Sequence, residues 1–524
     1  MPPNSFTCLI SDMGVFYSIE ILGQAYGNNF RIRIYDSMKL FPNMSVKTVA
    51  KAFNLPVQKQ EMDYHKERPI GYEPDEDELN YIKADVEIMA LALSKIHYME
   101  LSDGNSIQLT KMTLGSNALT QYKETIGKKN FERWFPSPPH EVDKDIRRAY
   151  RGGFTYLRPK YADKDLGQLV HFDVRSLYPS VMYYEKMPYD EGIPYEGEYK
   201  LDKLYDLYIQ KFSCSFKLKK GHIPTVQLKR YLKWFAPNEY LESSDGNYVT
   251  MYMTNVDLKL FKEHYHVYDV TYHSGYKFKS STTLFKDYID KWTAIKEEAE
   301  RTKNKPLRTI AKLMLNNLYG KFSTNPLMLN KYPYKSDEGH IKYASPRIVK
   351  DGEDWTYYSR FPKFDVITDE FYFEEELVEP QKPLYIPVGC FITSYAREKT
   401  IRAAQKQYDR FVYADTDSLF LLGTELPAEL DMSGKLGTWG IEHGEGADEG
   451  QIIRARFLRQ KSYILDVEKD GKRKLEIVCA GMPESCYKNV TWENFHPGAS
   501  YDGKLKMAHV PGGIVLEDSP HTLR

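Results

Sequence analysis

"FVYADTDSLF", residues 411–420, sets two carboxylates, Asp415 and Asp417, inside a run of apolar residues. An ionised carboxylate among such neighbours must be paired or bound to a metal. Phe411, Val412 and Tyr413 before the acids, and Leu419, Phe420 and Leu421 after them, read as strand. Residues two apart share a strand face, and at a hairpin tip they still lie about 6–7 Å apart at the backbone. That spacing suits one divalent ion, or two ions about 3.5–4 Å apart. A lone Asp-x-Asp is more often a solvated turn, so its meaning depends on what the rest of the chain supplies.

The 524-residue chain is too long for one core, so several domains are expected. At 42% hydrophobic and 28% charged residues it has the make-up of a soluble globular protein. It contains no apolar run of membrane-spanning length, and its start, "MPPNSFTCLI", lacks the basic segment and apolar core of an export signal. Cys8, Cys214, Cys390, Cys479 and Cys486 are scattered without CxxC spacing. They suggest neither a disulfide framework nor a zinc site, and a reducing cytoplasm fits them. The net charge of −1 does not by itself mark a nucleic-acid binder. Locally, "KRYLKWF" (229–235) and "RARFLRQKSY" (454–463) interleave cations with aromatics, the mixture that grips phosphates and stacks on bases.

Period-two segments open the chain, "FYSIEIL" and "FRIRIYDS", and a helical pattern, "ELNYIKADVEIMALALSKIHY", follows. "FPSPPHEVD" (135–143) breaks the chain before "YRGGF" (150–154). A long helical stretch is expected over 284–322, then a polar, turn-rich insert over 323–380, strands around the opening motif, and a Gly-rich β tail. Antiparallel strands mixed with helices make the chain α+β.

A further acid, Asp173, stands near the end of a strand formed by Leu169, Val170 and Phe172. With Asp415 and Asp417 it can complete a carboxylate cluster for two Mg²⁺ ions, the arrangement of phosphoryl transfer. In "LRTIAKLMLNNLYGKF" (307–322), helical spacing puts Arg308, Lys312, Asn316 and Tyr319 on one face. Ala311, Met314, Leu318 and Phe322 line the adjacent apolar stripe. Two cations one turn apart, then an amide and a tyrosine, suit a helix that holds a triphosphate and stacks on a base. Gly320 lies inside that pattern, which points to a close backbone approach there.

"DVRSLYPS" (173–180), "KLMLNNLYG" (312–320) and "YADTDS" (413–418), in that order, resemble the A, B and C motifs of family B DNA polymerases. "YRGGF" resembles the linker motif between exonuclease and polymerase, "KSY" (461–463) the KxY motif, and "TSYAR" (393–397) a primer-contacting motif. The long inserts between motifs, together with "DYHKERP" (63–69) and "VPGGIVL" (510–516), are similar to those of protein-primed polymerases of bacteriophages with linear genomes.

That resemblance implies a right-hand polymerase of palm, fingers and thumb, preceded by part of an RNase H-like 3′–5′ exonuclease domain. The implied boundaries are 1–105 for the exonuclease part, 106–184 and 386–479 for the palm, 284–322 for the fingers and 480–524 for the thumb. Residues 185–283 would form a first terminal-protein-region insert, and 323–385 a second that encloses the template and supports strand displacement. Asp173 and Asp417 would be the principal ligands of two Mg²⁺ ions, for which Mn²⁺ can substitute, with Asp415 beside them and the Val174 carbonyl assisting. Tyr178 would lie under the sugar and exclude a 2′-hydroxyl; Lys296, Arg308 and Lys312 would neutralise the triphosphate; Asn316 and Tyr319 would close on the nascent base pair. Primer and template contacts would come from Tyr150, Gly152, Gly153, Ser176, Thr393, Arg397, Lys461 and Tyr463. The implied partners are a DNA primer–template, dNTPs and a terminal priming protein. The chain would act as a monomer, or as a heterodimer with that protein, in the cytoplasm of a bacterial host.

The pattern departs in two places. Asn317 stands where the family usually has Ser. The exonuclease part has no Asp-x-Glu before "FYSIEIL" and no Asn-containing second motif. What remains is similar to a third motif, Tyr81 and Asp85 in "YIKAD", with Lys59, Ser37 and Met38 matching single-stranded-DNA contacts. The expectation is therefore an N-terminally truncated exonuclease domain without proofreading, and an exposed edge on the N-terminal sheet. Competing readings are a two-metal nuclease or phosphatase, a reverse transcriptase or RNA polymerase, and an inactive DNA-binding remnant. The face of Lys312, Asn316 and Tyr319 speaks against the first, Tyr178 against the second, and the complete set of three aspartates against the third.

Overall fold

The computed structural model describes the chain except for residues 1–5, 12–13, 26, 42–43, 64, 69–70, 98, 101–103, 105, 228–239, 336–340, 352–353, 366, 369, 511–512 and 524. The "KRYLKWF" segment and part of "VPGGIVL" and "DYHKERP" therefore lie outside the described residues. The chain divides into one unit of residues 1–59, 84–144 and 292–386, and another of 60–83, 145–291 and 387–524.

In the second unit, short apolar runs assemble a nine-stranded sheet. Its strands are β1 (Thr155–Leu157), β2 (Asp165–Leu166), β3 (Leu169–Val174), β4 (Phe411–Asp415), β5 (Ser418–Leu422), β6 (Trp439–His443), β7 (Gln451–Arg459), β8 (Ser462–Lys469) and β9 (Lys472–Cys479). The order is β9-β8-β7-β3-β5-β4-β1, with β6 also on β3 and β2 on β7. Phe411 to Ala414 are all fully buried, which explains why that strand reads as an unbroken apolar run rather than an alternating one. Tyr413, Phe420, Phe457 and Leu465 fill the core beside it.

Met187–Glu196, Leu207–Leu218, Val249–Thr254 and Tyr265–Ser281 build a four-stranded antiparallel sheet around Phe212, Phe216, Met251 and Tyr265, crossed by the helix Asn255–His264. Thr254 caps that helix by accepting from the Asp257 backbone N–H. The tail is the hairpin of Ser500–Val510 and Gly513–Thr522.

The expected helical stretch is two helices, Lys286–Arg301 and, in the first unit, Lys305–Phe322. Lys303 takes a left-handed φ of 55°, and Asn304 caps the second helix, Lys305–Phe322, by accepting from Leu307 N–H. Asn and Pro at this boundary, 304 and 306, are the start signals that divide the pattern. Phe322 packs 5.2 Å from Phe135 and 6.4 Å from Tyr122 between ring centroids, which anchors the apolar stripe. The close approach expected at Gly320 is not made by the chain itself, since a Cβ there would meet open space. Tyr332–Lys335 pairs with Ile341–Ala344, and Arg347–Asp351, Asp354–Asp365 and Glu370–Leu377 form a three-stranded sheet. The N-terminal sheet runs Phe6–Ile10, Phe16–Ala25, Asn28–Tyr35, and every residue of its last strand is exposed.

Candidate active site

β4 and β5 form a hairpin whose tip is Thr416 and Asp417. Thr416 sits at φ 60°, and the Asp417 N–H donates to the Asp415 carbonyl at 2.7 Å. Asp173, near the end of β3, pairs with Ser418 of β5 on one side and Gly440 of β6 on the other. The Val174 N–H donates to the Asp417 carbonyl at 2.8 Å, which ties the end of β3 to the hairpin tip. The three aspartates expected to act together thus stand at adjoining ends of three neighbouring strands. Gly153 is what allows "YRGGF" to cross this tip, because a Cβ there would come within 2.5 Å of the Thr416 hydroxyl.

The environments of the carboxylates differ. Asp415 is compensated: Lys461 Nζ is 2.9 Å away, the Thr155 hydroxyl donates at 2.9 Å and the Tyr413 hydroxyl at 3.3 Å. Lys461 is held by its backbone, whose N–H donates to the Tyr413 hydroxyl at 3.0 Å, and Tyr463 packs against Tyr413, Phe420 and Phe457. Asp417 is not compensated in this way. Burial holds its carboxyl above the usual carboxylate range; its own backbone N–H offsets part of this, the negative charges of Asp415 and Glu442 add to it, and Lys461 contributes a smaller offset. A cation bound there would relieve the penalty. The oxygen-only donor set of Asp173, Asp417 and the Val174 carbonyl fits a hard ion such as Mg²⁺.

Ser176, at φ 54°, turns the chain out of β3 into the helix Leu177–Tyr184, so half-buried Tyr178 lies in the first turn after Asp173. Tyr150 is half-buried and Gly152 exposed in the loop that leads to β1. Thr393 and Arg397, expected at the primer, are buried instead. The Thr393 hydroxyl donates to the Gly389 carbonyl. Arg397 pairs with Asp257 at 2.6 Å and donates to the Arg151 and Gly152 carbonyls at 2.8 and 2.7 Å. The guanidinium latches the "YRGGF" loop to the helix that carries Asp257. Removing one partner of a buried ion pair leaves the other charge unsatisfied at a cost of about 3–5 kcal/mol. Arg397→Met is therefore expected to lower the denaturation midpoint sharply in urea, and Arg397→Lys, which keeps a cation beside Asp257, to lower it less. Parental stability of Arg397→Met would contradict this.

Two of the cations in the cation–aromatic segment of β7 and β8 have partners within the fold. Arg454 pairs with Asp466 at 2.8 Å, Arg456 with Asp165 at 2.6 Å, and both guanidinium groups lie over the Trp492 ring.

Lys296, Arg308, Lys312, Asn316 and Tyr319 belong to the other unit. Arg308 binds Glu300 at 2.9 Å, with Lys296 at 3.9 Å from the same carboxylate, while Lys312 is exposed and has no ion pair among the described residues. Also in that unit, Lys59 Nζ is 2.6 Å from Asp85, and Ser37 and Met38 lie in a short 3₁₀ turn capped by Asp36. Tyr81 is buried one turn before Asp85 on the same helix. Thr155, Tyr413 and Asp257 went unnoticed in the sequence. Only Tyr413, two residues from Asp415 on the same strand, carried a signal there.

An antiparallel sheet with aspartates at its central strand ends, entered by a left-handed turn into a helix, is the palm of a nucleotide-polymerising enzyme. A family model, DNA polymerase type B, organellar and viral, matches residues 6–372, and the chain belongs to that family. The DNA polymerase of Bacillus phage Nf is 42% identical over all of this chain and 86% of its own length. That of Streptococcus phage Cp-1 is 32% identical over 99% of this chain and 83% of its own. Among solved structures, Phi29 DNA polymerase complexed with primer-template DNA and incoming nucleotide substrates is 40% identical, with a TM-score of 0.83 over 100% of this chain and 87% of that one. The chain is a DNA-directed DNA polymerase with the α+β polymerase fold of those relatives. Among its described helices, none is long and apolar enough to cross a membrane.

Proposed function

We propose that the chain extends a DNA 3′-hydroxyl with dNTPs under template direction, with Asp173 and Asp417 as metal ligands and Asp415 beside them. The observation that carries this reading is the contrast between Asp415, neutralised by Lys461, and Asp417, whose buried carboxyl sits among negative charges. Two Mg²⁺ ions bound there would lower the pKa of the attacking hydroxyl and stabilise the leaving oxygen. Lys461 then serves the primer terminus while keeping Asp415 in place. Tyr178 limits the space at C2′ of the sugar. Lys312, Arg308 and Lys296 take the triphosphate, and Asn316 and Tyr319 the nascent base pair; that Lys312 is without an ion pair supports this role. Tyr150, Gly152, Gly153 and Ser176 line the DNA path. The relatives whose structures hold primer–template DNA and incoming nucleotides support both as ligands of this chain.

The domain boundaries follow the resemblance: palm over 106–184 and 386–479, fingers over 284–322, thumb over 480–524, and inserts over 185–283 and 323–385 that serve a terminal protein and strand displacement. The separate sheets at 187–281 and 347–377 support the two inserts as folded elements. Similarity to phage polymerases supports initiation on a terminal protein in a bacterial cytoplasm. Incubating the chain with an α-labelled dNTP and a purified terminal protein tests this. Label transferred to the protein is expected, and label confined to DNA ends would contradict it.

Proofreading is not expected. A 3′–5′ exonuclease needs several carboxylates around its metals. Asp85 is instead paired with Lys59, and no cluster of three metal-ligating side chains includes it among the described residues. Labelled single-stranded DNA incubated with the chain and Mg²⁺, without dNTPs, is expected to stay intact. Stepwise shortening that survives Asp173→Ala but is lost in Asp85→Ala would contradict this.

A further inference from the structure

His171 lies on β3, two residues before Asp173, and its register partner across the sheet is His443 of β6. Their Nδ1 atoms face each other at 3.1 Å, and a Glu442 carboxylate oxygen is 3.8 Å from His171 Nδ1. One ligand atom from each of the three residues lies within 4.8 Å of the other two. The second nitrogen of His443, Nε2, is 3.2 Å from the Glu476 carboxylate. That contact holds the ring's proton on Nε2 and leaves the Nδ1 lone pair aimed at His171. His171 is buried, stacked 3.9 Å from the Phe420 ring, and its Nε2 has no partner. Two imidazole nitrogens this close need either a proton or a cation between them.

We propose that His171, His443 and Glu442 bind one dication of the zinc class (Zn²⁺, Co²⁺ or Ni²⁺), at a site distinct from the aspartates. Imidazole nitrogen suits these metals, whereas Mg²⁺ requires oxygen ligands. With metal–nitrogen bonds of about 2.0–2.1 Å, tetrahedral ligand atoms stand roughly 3.3–3.4 Å apart. The two spacings from His171 Nδ1, 3.1 and 3.8 Å, fall on either side of that value and no spacing in the group exceeds 4.8 Å, so rotation of the rings and of exposed Glu442 completes the site. Glu476 supplies the outer carboxylate that commonly orients a metal-bound imidazole. Glu442 is half exposed, so the fourth position opens to water on its side. Because β3 and β6 meet here, the metal cross-links the strand that carries Asp173 to its neighbour.

The test is to load the full chain with Zn²⁺, dialyse it against excess Mg²⁺ and measure retained zinc, with Co²⁺ substitution as a spectroscopic reporter. One zinc per chain and an intense visible Co²⁺ band, the mark of tetrahedral nitrogen ligation, are expected. His443→Ala and Glu442→Gln are each expected to weaken zinc binding at least about tenfold, since even outer-shell changes cost 10–100-fold. His443→Ala should still extend primers with Mg²⁺ alone, which shows that it folds; should it not fold, half-exposed Glu442→Gln carries the test. Complete loss of zinc against Mg²⁺, or equal retention by both variants, would overturn the proposal and leave a His–His hydrogen bond in its place.

Discussion

Asp417→Ala is expected to lose nucleotide addition by about 10³-fold or more, as is Asp173→Ala, with primer–template affinity nearly unchanged. Each side chain stands at a strand end secured by backbone hydrogen bonds, Val174 to Asp417 and Asp173 in register with Ser418, so its removal deletes a ligand without unfolding the sheet. The effect should be graded. Asp415→Asn should cost less, because Lys461, Thr155 and Tyr413 already occupy that carboxylate. Acidification should act in the same direction. A carboxyl held above the usual range protonates earlier as pH falls, so the metal-ligating form of Asp417 is lost before that of an ordinary aspartate. Single-turnover incorporation, with a mobility-shift assay for DNA binding, reads both quantities. Near-parental rates in either alanine variant would remove that residue from the chemistry.

Tyr178→Val is expected to raise ribonucleotide use relative to dNTPs by about 10²-fold in kcat/KM, the order of discrimination a shape-based pocket supplies. The left-handed turn at Ser176 starts the helix three residues after Asp173, so Tyr178, in its first turn, follows closely on the strand end that carries Asp173. Valine keeps a β-branched, apolar side chain but removes the ring that would fill the space of a 2′-hydroxyl. An unchanged ratio would place the sugar gate on another residue.

The polymerase fold and the grouping of the three aspartates were legible because burial and chemistry conflict there. Acids within apolar runs at 173, 415 and 417 have few explanations, and the residues around them have to be strand. Helix periodicity was equally readable within 76–97 and 305–322, but the break at Lys303 and Asn304, inside a stretch expected to be helical over 284–322, was not. Nor could the direction in which a cation points be read. Arg397 and Arg456 are each paired with a carboxylate distant in sequence, Asp257 or Asp165, and Arg454 with Asp466 directly across a hairpin. Long-range ion pairs leave no periodic trace, so an exposed Lys312 and a buried Arg397 look alike until the chain is folded. Gly320 failed for a related reason: glycine marks missing bulk without naming what fills the space.

The most direct test offers the chain a labelled primer–template, Mg²⁺ and one dNTP at a time. The account predicts addition of a single nucleotide only when it complements the first unpaired template base, with all four templates giving the corresponding result. No addition by folded, DNA-bound protein, or addition that ignores the template base, would contradict the reading of Asp173, Asp415 and Asp417 as the centre of a DNA polymerase.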